Sequence, residues 1–109
     1  MRITKKLYTE SHNLSLDLVI TDPKDGLRIA VQCKNYSSES VGNGPLLKLE
    51  AGKRFYKCPA TLFITTTSYT SKAIEYATQT RMEIWNGLMV EEKIVKWMKK
   101  ASVSYPFFT

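Results

Sequence analysis

Apolar and polar residues alternate in the first third of the chain, and this alternation predicts β-strands with two different faces. In residues 14–20, leucine or isoleucine occupies every second position, so Asp17 projects from the opposite face. Residues 3–11 alternate less regularly, which predicts a first strand at the edge of the sheet. Asp25-Gly26 lies between two apolar runs and favours a tight hairpin turn, which would return the chain beside the Asp17 strand.

The third predicted strand, residues 28–34, has two chemically different faces. Ile29, Val31 and Cys33 share one face, which we expect to pack in the core. Gln32 and Lys34 share the other face. Because the hairpin places this strand beside the previous one, Asp17, Gln32 and Lys34 are expected to meet on one surface. A carboxylate, an amide and an ammonium group together can hold a divalent cation beside a phosphate.

The next segments show helical spacing followed by a strand pattern. Apolar residues spaced as on one side of a helix predict a helix that begins near Pro45 and is stopped by Pro59. The β-branched run at residues 60–67 is typical of a buried parallel strand. Thr70 then stands where a capping residue is needed, at the start of a second helix.

The last third of the chain predicts one more strand and one more helix. The strand covers residues 82–85, and the helix covers residues 88–100 with Trp97 among its inward side chains. The complete order is β-β-β-α-β-α-β-α, which is the pattern of an α/β fold with a mixed central sheet flanked by helices. A chain of 109 residues is expected to form a single domain, 1–109.

Charge, cysteine content and hydropathy indicate the partners and the cellular compartment of the protein. The net charge is +6, which favours polyanionic partners such as DNA, although a merely soluble basic protein would have the same charge. Cys33 and Cys58 are too few for a disulfide framework, and we expect both to be buried free thiols. We find no signal peptide and no apolar run long enough to cross a bilayer, so we expect a cytoplasmic, intracellular protein.

The spacing of the polar residues is similar to that of a known enzyme superfamily. Asp17 is followed fifteen positions later by Gln32-x-Lys34. The chain resembles the PD-(D/E)XK nucleases in their Gln-x-Lys variant and, more narrowly, the Mrr-type restriction endonuclease catalytic domain. The resemblance covers about residues 14–87 and rests on Leu16-Asp17-Leu18-Val19-Ile20, Val31-Gln32-Cys33-Lys34-Asn35-Tyr36, Val41-Gly42, Leu49-Glu50-Ala51-Gly52, residues 60–66 and 68–70, Ala73 and Ala77.

This resemblance implies a restriction-endonuclease-like fold and metal-dependent hydrolysis of DNA with Mg²⁺ or Mn²⁺. The metal ligands of such nucleases correspond here to Asp17, Gln32 and the backbone carbonyl of Cys33, all oxygen donors suited to a hard cation. Lys34 would orient or help to deprotonate the attacking water and stabilise developing negative charge. The catalytic residues would therefore be Asp17, Gln32 and Lys34. Glutamine in place of glutamate removes one negative charge, so weaker metal binding is expected.

One difference from the family concerns the start of the chain. Mrr-type domains usually begin with a helix that contributes an acidic residue, whereas here a strand is predicted almost at once. Glu10 is the nearest acidic candidate, and Tyr36 and Ser37, which follow Lys34, are candidates for contact with DNA. Without that helix, one side of the sheet lacks cover. A homodimer could supply it, the chain could belong to a larger enzyme, or the protein could be a trimmed, inactive relative.

Three functions are compatible with these observations. The first is a restriction or defence-like DNA endonuclease, and the second is a nuclease of the same fold that cuts branched DNA, as Holliday-junction resolvases do. The third is a catalytically silent DNA-binding module. A solvent-facing sheet surface with ordinary polar side chains is the structural alternative for Asp17, Gln32 and Lys34.

Overall fold

The computed structural model describes residues 2–6, for which it gives the backbone, and residues 17–100. Residues 14–16 of the predicted Asp17 strand, and Glu10, lie outside the described residues. The predicted order of elements is confirmed: β1 (Arg2–Lys6), β2 (Leu18–Thr21), β3 (Arg28–Lys34), α1 (Asn43–Phe55), β4 (Ala60–Thr65), α2 (Ser71–Thr80), β5 (Glu83–Trp85) and α3 (Gly87–Lys100).

The described strands form one mixed sheet in the order β1-β2-β3-β4-β5, with β1 at an edge as predicted. The β1–β2 and β2–β3 pairs are antiparallel, whereas the β3–β4 and β4–β5 pairs are parallel. Parallel neighbours need a crossover, which α1 and α2 supply, and right-handed crossovers place both helices on the same face, where they pack together. The carboxyl ends of β3 and β4 therefore meet at one end of the sheet.

The side chains on the two faces of the sheet form two separate hydrophobic clusters. The first face lies under α1 and α2, and Phe63 and Val19 are fully buried there. The second face contains a smaller cluster around Val31, with Leu18 and Ile20 from β2. Gln32 lies on the first face, because neighbouring strand residues point to opposite faces and Val31 lies on the second. The buried residues of the first cluster are Val19, Ala30, Val41, Leu46, Leu49, Cys58, Phe63, Ala73, Ala77 and Met82.

The β2–β3 connection is wider than the predicted tight turn. The last pair of the ladder is Thr21 with Arg28, so residues 22–27 form the loop. Gly26 has a φ of 72°, a conformation that glycine adopts without a steric penalty. Asp-Gly therefore marks the position of the chain reversal correctly, but the loop has six residues. Two hydrogen bonds hold it: the Asp22 N–H donates to the Leu27 carbonyl at 2.9 Å, and the Gly26 N–H donates to the Asp22 carbonyl at 2.8 Å.

The first helix ends earlier than predicted. It stops at Phe55, so Pro59 does not terminate it. The chain instead leaves the helix through Lys57, whose φ is 55°, and the Cys58 N–H donates to the Lys53 carbonyl at 2.9 Å. This is the left-handed helix end of a Schellman motif, which satisfies carbonyls that have lost their intrahelical partners.

The third helix packs less deeply than predicted. It contacts β4 and β5, yet none of its residues is fully buried. Trp97, expected to face inward, is 62% exposed, and Leu88 is 64% exposed. A helix that packs on a sheet with one side leaves the apolar residues of its other sides exposed. In residues 17–100, no helix has the length and hydropathy needed to cross a membrane.

Candidate active site

Asp17 is held at the end of β3 by the backbone of that strand. It immediately precedes β2, and its N–H donates to the Val31 carbonyl at 2.9 Å. Its side-chain Oδ2 accepts a hydrogen bond from the Cys33 N–H at 2.8 Å. A hydrogen bond from a backbone N–H to a carboxylate is strong and directional. The carboxylate therefore lies beside the backbone of the Gln-x-Lys segment, and the meeting of the Asp17, Gln32 and Lys34 side chains stays a prediction.

Gln32 provides a buried oxygen at this place. Its side chain is only 5% exposed, because the first face of the sheet is covered by helices. The Nε2 donates to the Cys33 carbonyl at 3.3 Å, while Oε1 is buried and has no hydrogen-bond partner among the described residues. Such an acceptor destabilises a fold by about 1–3 kcal/mol unless something binds it. The solvent-facing surface that was the structural alternative is therefore wrong for Gln32.

Lys34 and Cys33 end β3 on opposite faces. Lys34 is half-buried, shares its face with Gln32 and pairs with Thr65 of β4. Cys33 is exposed, which contradicts the expectation that it is a core residue. The reason is its position, since it lies beyond Val31, the last buried residue on the second face of this strand. Partial burial of its sulfur, and then the nearby Asp17 carboxylate, raise the pKa of the Cys33 thiol.

Cys58, the other cysteine, is buried, as expected. Its sulfur packs in the core of the first face, and its Sγ lies 3.5 Å from the Tyr56 carbonyl. Burial raises the pKa of the Cys58 thiol, and the neighbouring Arg28 guanidinium partly opposes that rise. Cys58 lies just before β4, at the opposite end of the sheet from Asp17.

Three oxygen donors of the kind that a hard divalent cation binds lie at or next to the end of β3. They are the carboxylate of Asp17, Oε1 of Gln32 and the carbonyl of Cys33. The N–H and C=O of one strand residue point to the same edge, so the Cys33 carbonyl faces the side on which its N–H meets Asp17. Residues 17–100 contain no group of three or more His, Cys, Asp and Glu that could bind a metal. A cation here would be held by one carboxylate and two neutral oxygens, which suits Mg²⁺ or Mn²⁺ with water completing the shell.

The loop after Lys34 borders the candidate site. Tyr36 is partly buried and packs against the first core, whereas Ser37 is exposed, and both line a surface pocket with Asn35 and Glu39. The loop is tied to the end of β4 by the Thr66 hydroxyl, which bonds to Asn35 Oδ1 at 2.9 Å. The bond from Thr66 to the loop was not predicted, because the β-branched run at residues 60–67 indicates only a strand. The three consecutive threonine hydroxyls at the end of this strand, Thr65 to Thr67, could have indicated hydrogen bonds to a neighbouring loop.

A sheet with this topology and a polar site at the end of its third strand define an α/β domain of the restriction-endonuclease-like class. The chain matches the Mrr_cat family model, described as restriction endonuclease, over residues 3–98. It therefore belongs to the Mrr-type restriction endonuclease family, and both the resemblance and the predicted fold class are confirmed. Membership implies a restriction-type nuclease domain with DNA as its substrate. No curated protein and no solved structure matches the chain.

Proposed function

We propose that this domain is a Mg²⁺- or Mn²⁺-dependent endonuclease that hydrolyses phosphodiester bonds in DNA, with a role in restriction or defence. The observation that carries the proposal is the unpartnered, buried Oε1 of Gln32, beside a Cys33 peptide group that Asp17 already contacts. An unpaired buried acceptor costs free energy, and a cation bound by Oε1 would remove that cost, which supports a metal-binding role over a catalytically silent one.

In this proposal, Asp17, Gln32 and the Cys33 carbonyl hold the cation, and Lys34 acts on the reacting groups. A bound divalent cation would lower the pKa of a coordinated water and neutralise charge on the phosphate. Lys34 lies two residues after Gln32 on the same face of β3, so its ammonium group would orient the attacking water and stabilise the negative charge that develops on the phosphate. The single carboxylate makes metal binding weak, so bound DNA would contribute to it.

Two further features support DNA as the substrate. The net charge of +6 favours association with a polyanion, and the loop that carries Tyr36 and Ser37 borders the site, where it could contact the backbone of the DNA. We also propose that the active form is a homodimer, because cutting both strands of a duplex needs two sites. Leu88 and Trp97 of α3 are large apolar side chains left exposed in the single chain, and a second subunit could bury them.

The test is cleavage of supercoiled plasmid with Mg²⁺, with Mn²⁺ and with EDTA. Asp17→Asn keeps an oxygen that accepts from Cys33 N–H, and so removes only the charge. Asp17→Asn and Lys34→Ala should each reduce cleavage by about 10²–10⁴-fold while DNA binding is retained. Lys24→Ala is the matched control, because Lys24 is an exposed lysine in the β2–β3 loop at the opposite end of β3.

A folded protein that binds DNA but cuts with neither metal would refute the nuclease proposal and favour the silent binding module. If cleavage occurs, comparing four-way junctions with linear duplexes distinguishes a restriction-like enzyme from a resolvase-like one. Light scattering tests the homodimer, and a monomer that still cuts both strands of a duplex would exclude it.

A further inference from the structure

The two residues that directly follow Lys34 are bonded to the hydroxyl of Thr66, the residue just after β4. The Thr66 Oγ1 bonds to Asn35 Oδ1 at 2.9 Å and to the Tyr36 carbonyl at 3.0 Å. One hydroxyl hydrogen is shared between these two acceptors, an arrangement seen in three-centre bonds. Asn35 and Tyr36 are the first two residues after Lys34, so these two bonds, which we call the Thr66 tie, lie directly beside the proposed catalytic lysine.

Thr66 is itself held in place from its other side. Gly87, the first residue of α3, packs so closely that a Cβ atom on it would lie 2.3 Å from the Thr66 carbonyl oxygen. The Gly87 N–H also donates to the Thr67 carbonyl at 2.9 Å. The backbone at Thr66 therefore has little freedom to move away from the loop, because a helix start lies against it.

Other bonds secure the far end of the loop and leave Thr66 as the tie nearest to the site. The Thr67 hydroxyl donates to the Glu39 carbonyl at 2.8 Å, and the hydroxyls of Ser40 and Ser68 lie 2.8 Å apart. The β3–β4 ladder ends at the pair Lys34 with Thr65. Beyond that pair, the described residues next to Lys34 are held to β4 by Thr66.

We propose that Thr66 is a positioning residue that fixes the direction of the Lys34 side chain by holding Asn35 and Tyr36 against β4. This rests on the proposed nuclease function, in which Lys34 acts on the reacting phosphate. A displacement of about 1 Å at a catalytic group can reduce the rate about 10²-fold. Without the hydroxyl, the peptide after Lys34 loses its anchor while the strand itself remains paired.

The test compares Thr66→Val with Thr66→Ser, and with Thr78→Val as the control. Thr78 is also an exposed threonine whose hydroxyl bonds to a carbonyl, that of Ile74 at 2.9 Å, but it lies on α2 away from the site. Steady-state cleavage should show kcat reduced about 10–100-fold in Thr66→Val, with KM within about threefold. Thr66→Ser keeps the hydroxyl and should restore kcat to within about threefold of the wild type.

A second measurement does not depend on activity. Backbone ¹⁵N relaxation should give order parameters of about 0.8 for Asn35 and Tyr36 in the wild type, and below about 0.6 in Thr66→Val. Unchanged order parameters in Thr66→Val, or a kcat equal to that of Thr78→Val in an active enzyme, would each overturn the positioning role alone. A wild-type protein that cuts no DNA would overturn the nuclease proposal and, with it, any catalytic role for the tie.

Discussion

Replacing Gly87 with alanine is the most direct test of the packing between α3 and β4. The added methyl carbon would lie 2.3 Å from the Thr66 carbonyl oxygen and 2.9 Å from the Thr66 carbonyl carbon. Both obstacles are backbone atoms, which cannot rotate aside as the end of a flexible side chain can. Either the start of α3 or the end of β4 must therefore move.

The size of the effect follows from the distances. Carbon–oxygen contacts in proteins are close at about 3.3 Å, so the two segments must separate by about 1 Å. Overpacking of this kind costs about 1–3 kcal/mol. The hydrogen bond from Gly87 N–H to the Thr67 carbonyl, 2.9 Å long, weakens with the same movement. Alanine is a better helix former than glycine by up to about 1 kcal/mol, but that gain is smaller at the first residue of a helix.

We therefore expect Gly87→Ala to lower the free energy of unfolding by about 1–3 kcal/mol. For a domain of this size that corresponds to a fall in Tm of about 5–20 °C, measured by circular dichroism or calorimetry. Gly42→Ala is the matched control, because Gly42 has an extended backbone that alanine also adopts, and no atom lies within 4 Å of the added methyl group. Glycine caps a helix slightly better than alanine, so the control should lose about 1 kcal/mol at most. If Gly87→Ala melts no lower than the wild type, the close contact with Thr66 does not exist.

Two further predictions concern the Tyr69 hydroxyl and the two cysteine thiols. Burial raises the pKa of Tyr69 well above its usual value, and its hydroxyl donates to the carbonyls of Phe63 and Trp85. The folded protein then keeps a proton that the unfolded chain loses above pH 10.0, so this part of the stability is present below that pH and falls as the pH rises. Urea unfolding should show a shallower alkaline loss in Tyr69→Phe, and an unchanged slope would contradict this. For the cysteines, a thiol reagent should label exposed Cys33 quickly and Cys58, which is 4% exposed, only after unfolding. Cys33→Ser should abolish the fast phase, and a fast phase that survives would show that Cys58 is accessible.

Much of the fold could be derived from the sequence because strand and helix periods are local properties. The alternation along β2 and β3 predicted that Gln32 and Lys34 share a face with Asp17, and the structure places Asp17 beside Cys33. The order of elements followed from the same periods. The ends of the helices were predicted less accurately. The chain ends α1 through Lys57 in a left-handed conformation, which a lysine in the sequence does not indicate.

Only the tertiary structure decided how deeply each side chain is buried. A period of two assigns residues to faces, but it does not say which face a crossover helix covers or how far along a strand the cover extends. Gln32 is buried because α1 and α2 pack on its face of the sheet. Cys33 is exposed because it lies beyond Val31, the last buried residue on the opposite face of β3. The tie between Thr66 and Asn35 joins residues 31 positions apart. Such a contact depends on the packing of β3 against β4, and no local pattern contains it.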